Sequence, residues 1–314
     1  MAAGRLTAVR SAQSAASAAS AASAASAASA ASAGAPGWGA PWFAPLRPAL
    51  DLVAADAASG RWAAAVQTLN RAADAAQICN EAGRAVRFVD AASVQTASYE
   101  EHIWRSGEVP TRIAGEGCWH DLFNALAWLA FPRTKARLNA LQAAIVVRDG
   151  VGRTRGGLRD AATLFDENAA LFVTADRSLA DALRGFDWRE LFQRRRDDFV
   201  ANVRVLAFGH ALVDKLRTPY KAICAHAWVV DCSGALDDAR GVTRMPLPHR
   251  LASERIDQIV SAGLSEASLR SDAFAPLPVL GIPDWWPANR DPAFYDDTSV
   301  FRPGRHRANR FQGD

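Results

Sequence analysis

Residues 118–139 read CWHDLFNALAWLAFPRTKARLN. From Leu122 to Phe131 the only polar residue is Asn124, and the polarity before it is confined to His120 and Asp121. A helix that is polar only in its first turn and apolar all round afterwards is a buried one, so the pattern predicts a core helix over 119–131. Pro132 suits the first turn of a second helix, where its missing N–H would have no partner anyway. Leu138, Leu141 and Ile145 give that helix, 133–147, its core stripe, and Asp149-Gly150 ends it.

Working outward, helices are expected at 47–57, 61–76 and 98–106, with a strand in AVRFVD (85–90) and a loop in GEVPTR (107–112). Beyond the central pair come a helix at 158–167, a strand in ALFVTA (170–175) and short helices at 178–184 and 187–196. VRVLAF (203–208) alternates as a strand, and Gly209-His210 turns into a helix that stops before Pro219. AICAHAWVVD (222–231) is a further strand and 249–262 a further helix. The proline- and tryptophan-rich end from Pro276 is expected to wrap the surface without a regular element. The fold class is α+β, helix-rich, a single domain over 38–314 with a few short strands.

Residues 1–37 stand apart. Serine recurs every third residue from Ser11 to Ser32, a period that fits neither helix nor strand. No acidic residue precedes Asp51, a composition also seen in organellar transit peptides. The stretch is read as a low-complexity, disordered extension and excluded from the fold.

Composition narrows the function classes. Half of the 314 residues are hydrophobic, but no run approaches the roughly 18 apolar residues of a membrane span. Net charge is +3, with Arg5 and Arg10 in the tail, so the folded part is near neutral and nucleic acid is not an expected partner. The exception is local: Arg302, Arg305, Arg307 and Arg310 near the C-terminus read as a solvated end. Four cysteines without a CxxC pair suit a reducing compartment, the cytoplasm. Cys118-Trp-His120 and Cys224-Ala-His226 are two Cys-x-His pairs, but their spacing matches no standard zinc finger.

Four places carry chemistry-bearing residues. His120 and Asn124, four apart on the core helix, share one face, while Asp121 is favoured by the helix dipole. That dipole disfavours positive charge on His120, leaving it open to a role as base or metal ligand. In PRTKARLN, Lys135, Asn139 and Gln142 lie along one side and Arg133 and Arg137 along another, a cationic ridge able to hold an anion or simply a solvated face. In LRDAATLFDEN, Asp166 and Glu167 fall in the last helical turn, where the dipole penalises them. A cation, Arg159 or solvent must compensate. With Asn168 they are hard oxygen ligands for Mg²⁺ or Mn²⁺, although Asn168 reads equally as the left-handed residue that ends the helix. Last, His210 follows a strand at the start of a helix, a common place for a ligand or a general base. Signatures for nucleotide-binding loops, serine hydrolases and zinc proteases are lacking.

Taken in order, VPTR, HDLFNALAWLAFPRTKARLNALQ, LRDAATLFDEN, FGHALVDKL-x-x-PY, AHA and PLPVLGIPDWW…FYDD…VFRP resemble the bacterial domain of unknown function DUF3025, from about Phe43 to Pro303. The resemblance implies a bacterial source, which removes the transit-peptide reading, and implies no activity. Its motifs coincide with His120, Asp121, Asn124, Arg133, Lys135, Arg159, Asp160, Asp166, Glu167, Asn168 and His210.

Two functions follow as expectations. One is a soluble enzyme, a metal-assisted hydrolase of a small anionic substrate. His120, His210, Asp166 and Glu167 would form its cleft around a divalent metal, with Asn124, Arg133, Lys135, Arg159 and Asn168 in binding roles. The other is a non-catalytic binding or scaffold module whose polar motifs cap and cross-link helices, with Trp38, Trp42, Trp285 and Trp286 as partner surface or core. They part on one geometric point. Shared chemistry needs hydrogen-bond or ligand reach, so His120 lying more than about 10 Å from both Asp166 and His210 excludes the first. Oligomeric state is not encoded in these patterns.

Overall fold

A computed structural model describes residues 37–150, 156–234 and 247–304. Residues 1–36 of the repeat tail lie outside the described residues, as do Arg305, His306, Arg307 and Arg310.

The predicted pair of helices is present as α4 (Cys118–Ala130) and α5 (Pro132–Asp149), preceded by α1 (Arg47–Ala58), α2 (Trp62–Ala75) and α3 (Tyr99–Ser106). Leu122, Phe123, Leu126 and Trp128 of α4 are buried, as its all-round apolar sequence requires. Ser98 caps α3, its hydroxyl accepting from the Glu101 N–H, and Gly107 closes that helix at φ +80°, a conformation that costs glycine little. Strands β1 (Arg87–Asp90) and β2 (Glu108–Thr111) pair in parallel on either side of α3. The loop expected at 107–112 is therefore a strand. Pro110 argued against one, yet β2 pairs with β1 alone and so is an edge, where proline is tolerated.

The second half builds a four-stranded sheet of β4 (Val203–Ala207), β3 (Ala169–Thr174), β5 (Cys224–Asp231) and β6 (Phe274–Pro278), in that spatial order. Helix α6 (Gly157–Asn168) runs directly into β3 (Ala169–Thr174), followed by α7 (Arg177–Arg184) and α8 (Arg196–Asn202). The helix expected at 187–196 is instead a π-helical turn, Glu190–Arg194, leading into α8. Strand β4 (Val203–Ala207) leads to α9 (His210–Lys215), and β5 (Cys224–Asp231) lies parallel to β3. Two helices, α10 (Leu247–Arg250) and α11 (Ser253–Gly263), replace the single helix expected at 249–262. Strand β6 (Phe274–Pro278) was hidden by Pro276 and Pro278, and it too is a sheet edge. Beyond it the chain runs in short 3-10 turns to Phe301.

All six residues of β3 are buried, as a strand covered on both faces must be. One hydrophobic cluster runs from Trp42 to Phe301 and joins the helical half to the sheet. Trp42 belongs to it and packs 6.2 Å from Trp285, and Trp38 packs against Trp119 and Phe43, so these tryptophans serve the core. The protein is α+β and helix-rich. No described helix is long and apolar enough to cross a membrane.

Candidate metal centre

The sheet register brings the first two groups together. Ala170 of β3 pairs with Ala207 of the antiparallel β4. Continuing that register three residues outward from this pair sets Glu167, at the end of α6, opposite His210, at the start of α9. The approach is close: a Cβ on Gly209 would lie 2.5 Å from the Glu167 carbonyl and the Asn168 nitrogen. Only glycine fits there, and the Gly209 N–H donates to the Ala169 carbonyl at 2.9 Å.

Helix α9 also packs on α4, which delivers His120. His120 Nε2 and His210 Nε2 are 3.1 Å apart, and Glu167 Oε2 lies 3.5 Å from His210 Nε2 and 4.0 Å from His120 Nε2. The 10 Å criterion is met with room to spare. Among the described residues these three form a group of metal-ligating atoms lying within 4.8 Å of one another. Ligands about 2.0–2.2 Å from a common ion are themselves about 3.0–3.6 Å apart, so two of the three separations fit and the third closes with a small turn of Glu167. Burial, reinforced by Lys135 and His120 and opposed by Asp166, pushes the His210 imidazole down to about 4, so it is neutral at pH 7. A neutral imidazole is the form a metal takes. Burial and the adjacent Asp166 charge raise the Glu167 carboxyl, so it gains from a neighbouring cation.

Asp166 plays a different part from its neighbour. Its Oδ1 accepts from Lys135 Nζ at 2.5 Å. Burial pushes this carboxyl up, but Lys135, with His210 and His120, outweighs burial and holds it below the usual carboxylate range. Lys135, 4% exposed, is thus the cation that compensates the last turn of α6. Lys135 Nζ also donates to Asn124 Oδ1 at 2.8 Å, and Asn124 Nδ2 donates to the Tyr99 hydroxyl at 2.8 Å. Asp121 receives the Arg112 guanidinium bidentately, at 2.7 and 2.6 Å, and its backbone N–H at 2.8 Å. Tyr99, Arg112, Asp121, Asn124 and Asp166 line a cleft of about 380 Å³ with His120, Glu167 and His210 along it, and Lys135 lies behind that wall.

Several expectations are corrected. The side of α5 bearing Lys135 and Asn139 is not a solvated cationic ridge. Both residues are buried, Lys135 on Asp166 and Asn139 donating to the Glu100 carbonyl. Arg133, two residues from Lys135 and hence about 200° around the helix, lines a separate cavity with Arg137 and takes no part in the cleft. Arg159, two turns before Asp166, is not among the cleft-lining residues. Asn168 does not end α6 in a left-handed conformation; it completes the helix and accepts from Lys215 Nζ at 3.2 Å. The Cys-x-His pairs form no site. Cys118 donates to the Gly115 carbonyl, all four cysteines are free, and no cysteine joins the metal-ligating group among the described residues.

Sequence reasoning did not single out Tyr99 or Arg112. Ser98 and Glu101 signal the start of α3 and so place Tyr99 in its first turn, but its partner is 25 residues away and only the fold joins them. Arg112 stood in the quoted VPTR motif without a stated role.

Fold and site together define a helix-rich α+β protein whose two halves meet at a cluster of two histidines and a glutamate, with His210 buried and His120 and Glu167 partly exposed. The family model described as "Protein of unknown function (DUF3025)" matches residues 86–305, and the chain belongs to that family. The match begins later than the resemblance from Phe43 suggested. Neither the curated proteins nor the solved structures contain a match.

Proposed function

We propose that His120, His210 and Glu167 hold one divalent metal ion, and that the protein is a metal-assisted hydrolase of a small polar substrate. The observation that carries this reading is the convergence of two imidazole nitrogens and a carboxylate oxygen on one point along the 380 Å³ cleft. Three protein ligands leave a position for water, whose pKa a bound Zn²⁺ lowers to about 7, supplying a nucleophile at neutral pH. The charges agree. Glu100, Asp121, Asp166 and Glu167 line the cleft, while Arg112 and Lys135 oppose them, so a divalent ion brings the site close to neutral. Asp166 and Lys135 act outside the ligand set, as the ion pair that fixes the end of α6. The anionic substrate expected from the sequence loses its two cations, because Arg133 faces elsewhere and Lys135 is spent on Asp166. Four unpaired cysteines support a cytoplasmic location.

The scaffold alternative needs the histidines satisfied by backbone, whereas the two rings face each other and a carboxylate. Metal analysis of the purified protein beside Glu167→Gln is the test. About one divalent ion per wild-type chain, and little in the variant, supports the reading. No metal in either, after dialysis against Zn²⁺ or Mn²⁺, leaves a hydrogen-bonded cross-link between α4 and α9 and overturns it.

A further inference from the structure

The chain of bonds from Lys135 fixes how the far wall of the cleft presents itself. An ammonium can only donate, so the Asn124 atom facing Lys135 Nζ is the carbonyl oxygen, and the amide nitrogen faces Tyr99. Asn124 is 6% exposed and held at both ends, so this orientation is locked. Its N–H fills one lone pair of the phenol oxygen and leaves the Tyr99 O–H free to donate. Among the described residues no acceptor takes that proton. Tyr99 is 37% exposed as a residue, so its ring meets solvent, but desolvation at the hydroxyl end, with the charges of Asp166 and Asp121, raises its pKa, and the group stays a neutral donor. Tyr99 lines the same cleft as His120 and Glu167.

We infer that the Tyr99 hydroxyl is the substrate-contacting donor of this cleft, and that its acceptor is the carbonyl oxygen of a small uncharged acyl compound, an ester or an amide. Asn124 and Lys135 are its positioning residues. The choice of acyl over phosphoryl substrates rests on charge. A phosphate needs cations to spare, but Arg112 is taken bidentately by Asp121 and Lys135 by Asp166 and Asn124. One neutral O–H beside acidic walls suits a carbonyl. The assignment rests on the hydrolase reading for its reaction. For its binding geometry it rests only on Tyr99, Asn124 and Lys135.

The experiment uses the full chain loaded with Co²⁺, whose visible absorption reports the metal site by itself. N-methylacetamide, uncharged and bearing an acyl oxygen without a chelating group, is titrated into wild type and Tyr99→Phe, with inorganic phosphate as comparison. The expected result is unchanged Co²⁺ bands in the variant with N-methylacetamide binding about tenfold weaker, the size of one lost hydrogen bond. Asn124→Leu should weaken it similarly, and the double variant should lose no more than Tyr99→Phe alone, which a merely structural role of Asn124 would not produce. Equal N-methylacetamide affinity in wild type and Tyr99→Phe overturns the inference, as does a loss of phosphate affinity in Tyr99→Phe larger than the loss of N-methylacetamide affinity. Failure of the wild type to take up Co²⁺ overturns the metal reading instead. The same titrations on metal-free protein then decide the role of Tyr99 by the same criterion.

Discussion

The cavity on the Arg133 side of α5 measures about 820 Å³, more than twice the 380 Å³ of the cleft on the Lys135 side. In the larger one the polar groups go separate ways. Arg137 reaches Glu81 and the Leu264 carbonyl, and the Arg133 side chain is exposed. In the smaller one they converge: two imidazoles and a carboxylate share one point, and a buried lysine joins Asp166 to Asn124 and Tyr99. One helix serves both because residues 133 and 135 project to opposite sides. Volume measures room, whereas convergence of titratable groups under burial marks the place where chemistry is arranged.

The contrast can be broken from either side. The largest effect belongs to the ligands: His210→Ala should weaken divalent-metal affinity by about 100-fold or more, measured by competition with a chelating dye. Next comes the ion pair. Lys135→Met strands the Asp166 carboxylate and should cost about 3 kcal/mol of stability, read from urea midpoints. Because the folded Asp166 pKa lies below its unfolded value, the pair's contribution is complete above the unfolded carboxylate pKa. It is lost as pH falls through the folded value. The gap between wild type and Lys135→Met should therefore narrow on acidification, and a gap independent of pH would assign the loss to packing alone.

A smaller effect is expected at Gly209. An alanine Cβ there meets the Glu167 carbonyl, so Gly209→Ala should cost about 1–3 kcal/mol and weaken metal binding as α6 and α9 separate. On the other side of α5, Arg133→Ala should change stability by no more than about 0.5 kcal/mol and leave metal binding untouched. A metal defect in Arg133→Ala would erase the distinction between the two cavities.

How much of this was legible in the sequence follows from the range of the forces involved. The α4–α5 pair was readable because burial imprints its period on neighbouring residues, as in LFNALAWLAF. The edge strands β2 and β6 were not, because Pro110, Pro276 and Pro278 argue against a strand until the absence of a second neighbour is known. At the site, His120, Asp166, Glu167 and His210 stood out as ionisable groups at the ends of apolar elements. The division of labour between Asp166 and Glu167 did not, since adjacent helical residues project about 100° apart and only the fold shows which neighbour each one meets. Tyr99 lacked any local signal, because its role is fixed by Asn124 and Lys135 from two other helices.

The central claim is most directly tested by anomalous X-ray scattering at the zinc edge from crystals of the full chain grown with Zn²⁺. The expected result is one strong peak about 2.0–2.2 Å from His120 Nε2, His210 Nε2 and a Glu167 carboxylate oxygen. A peak bound elsewhere, or none while His120 and His210 remain hydrogen-bonded to each other, would contradict it.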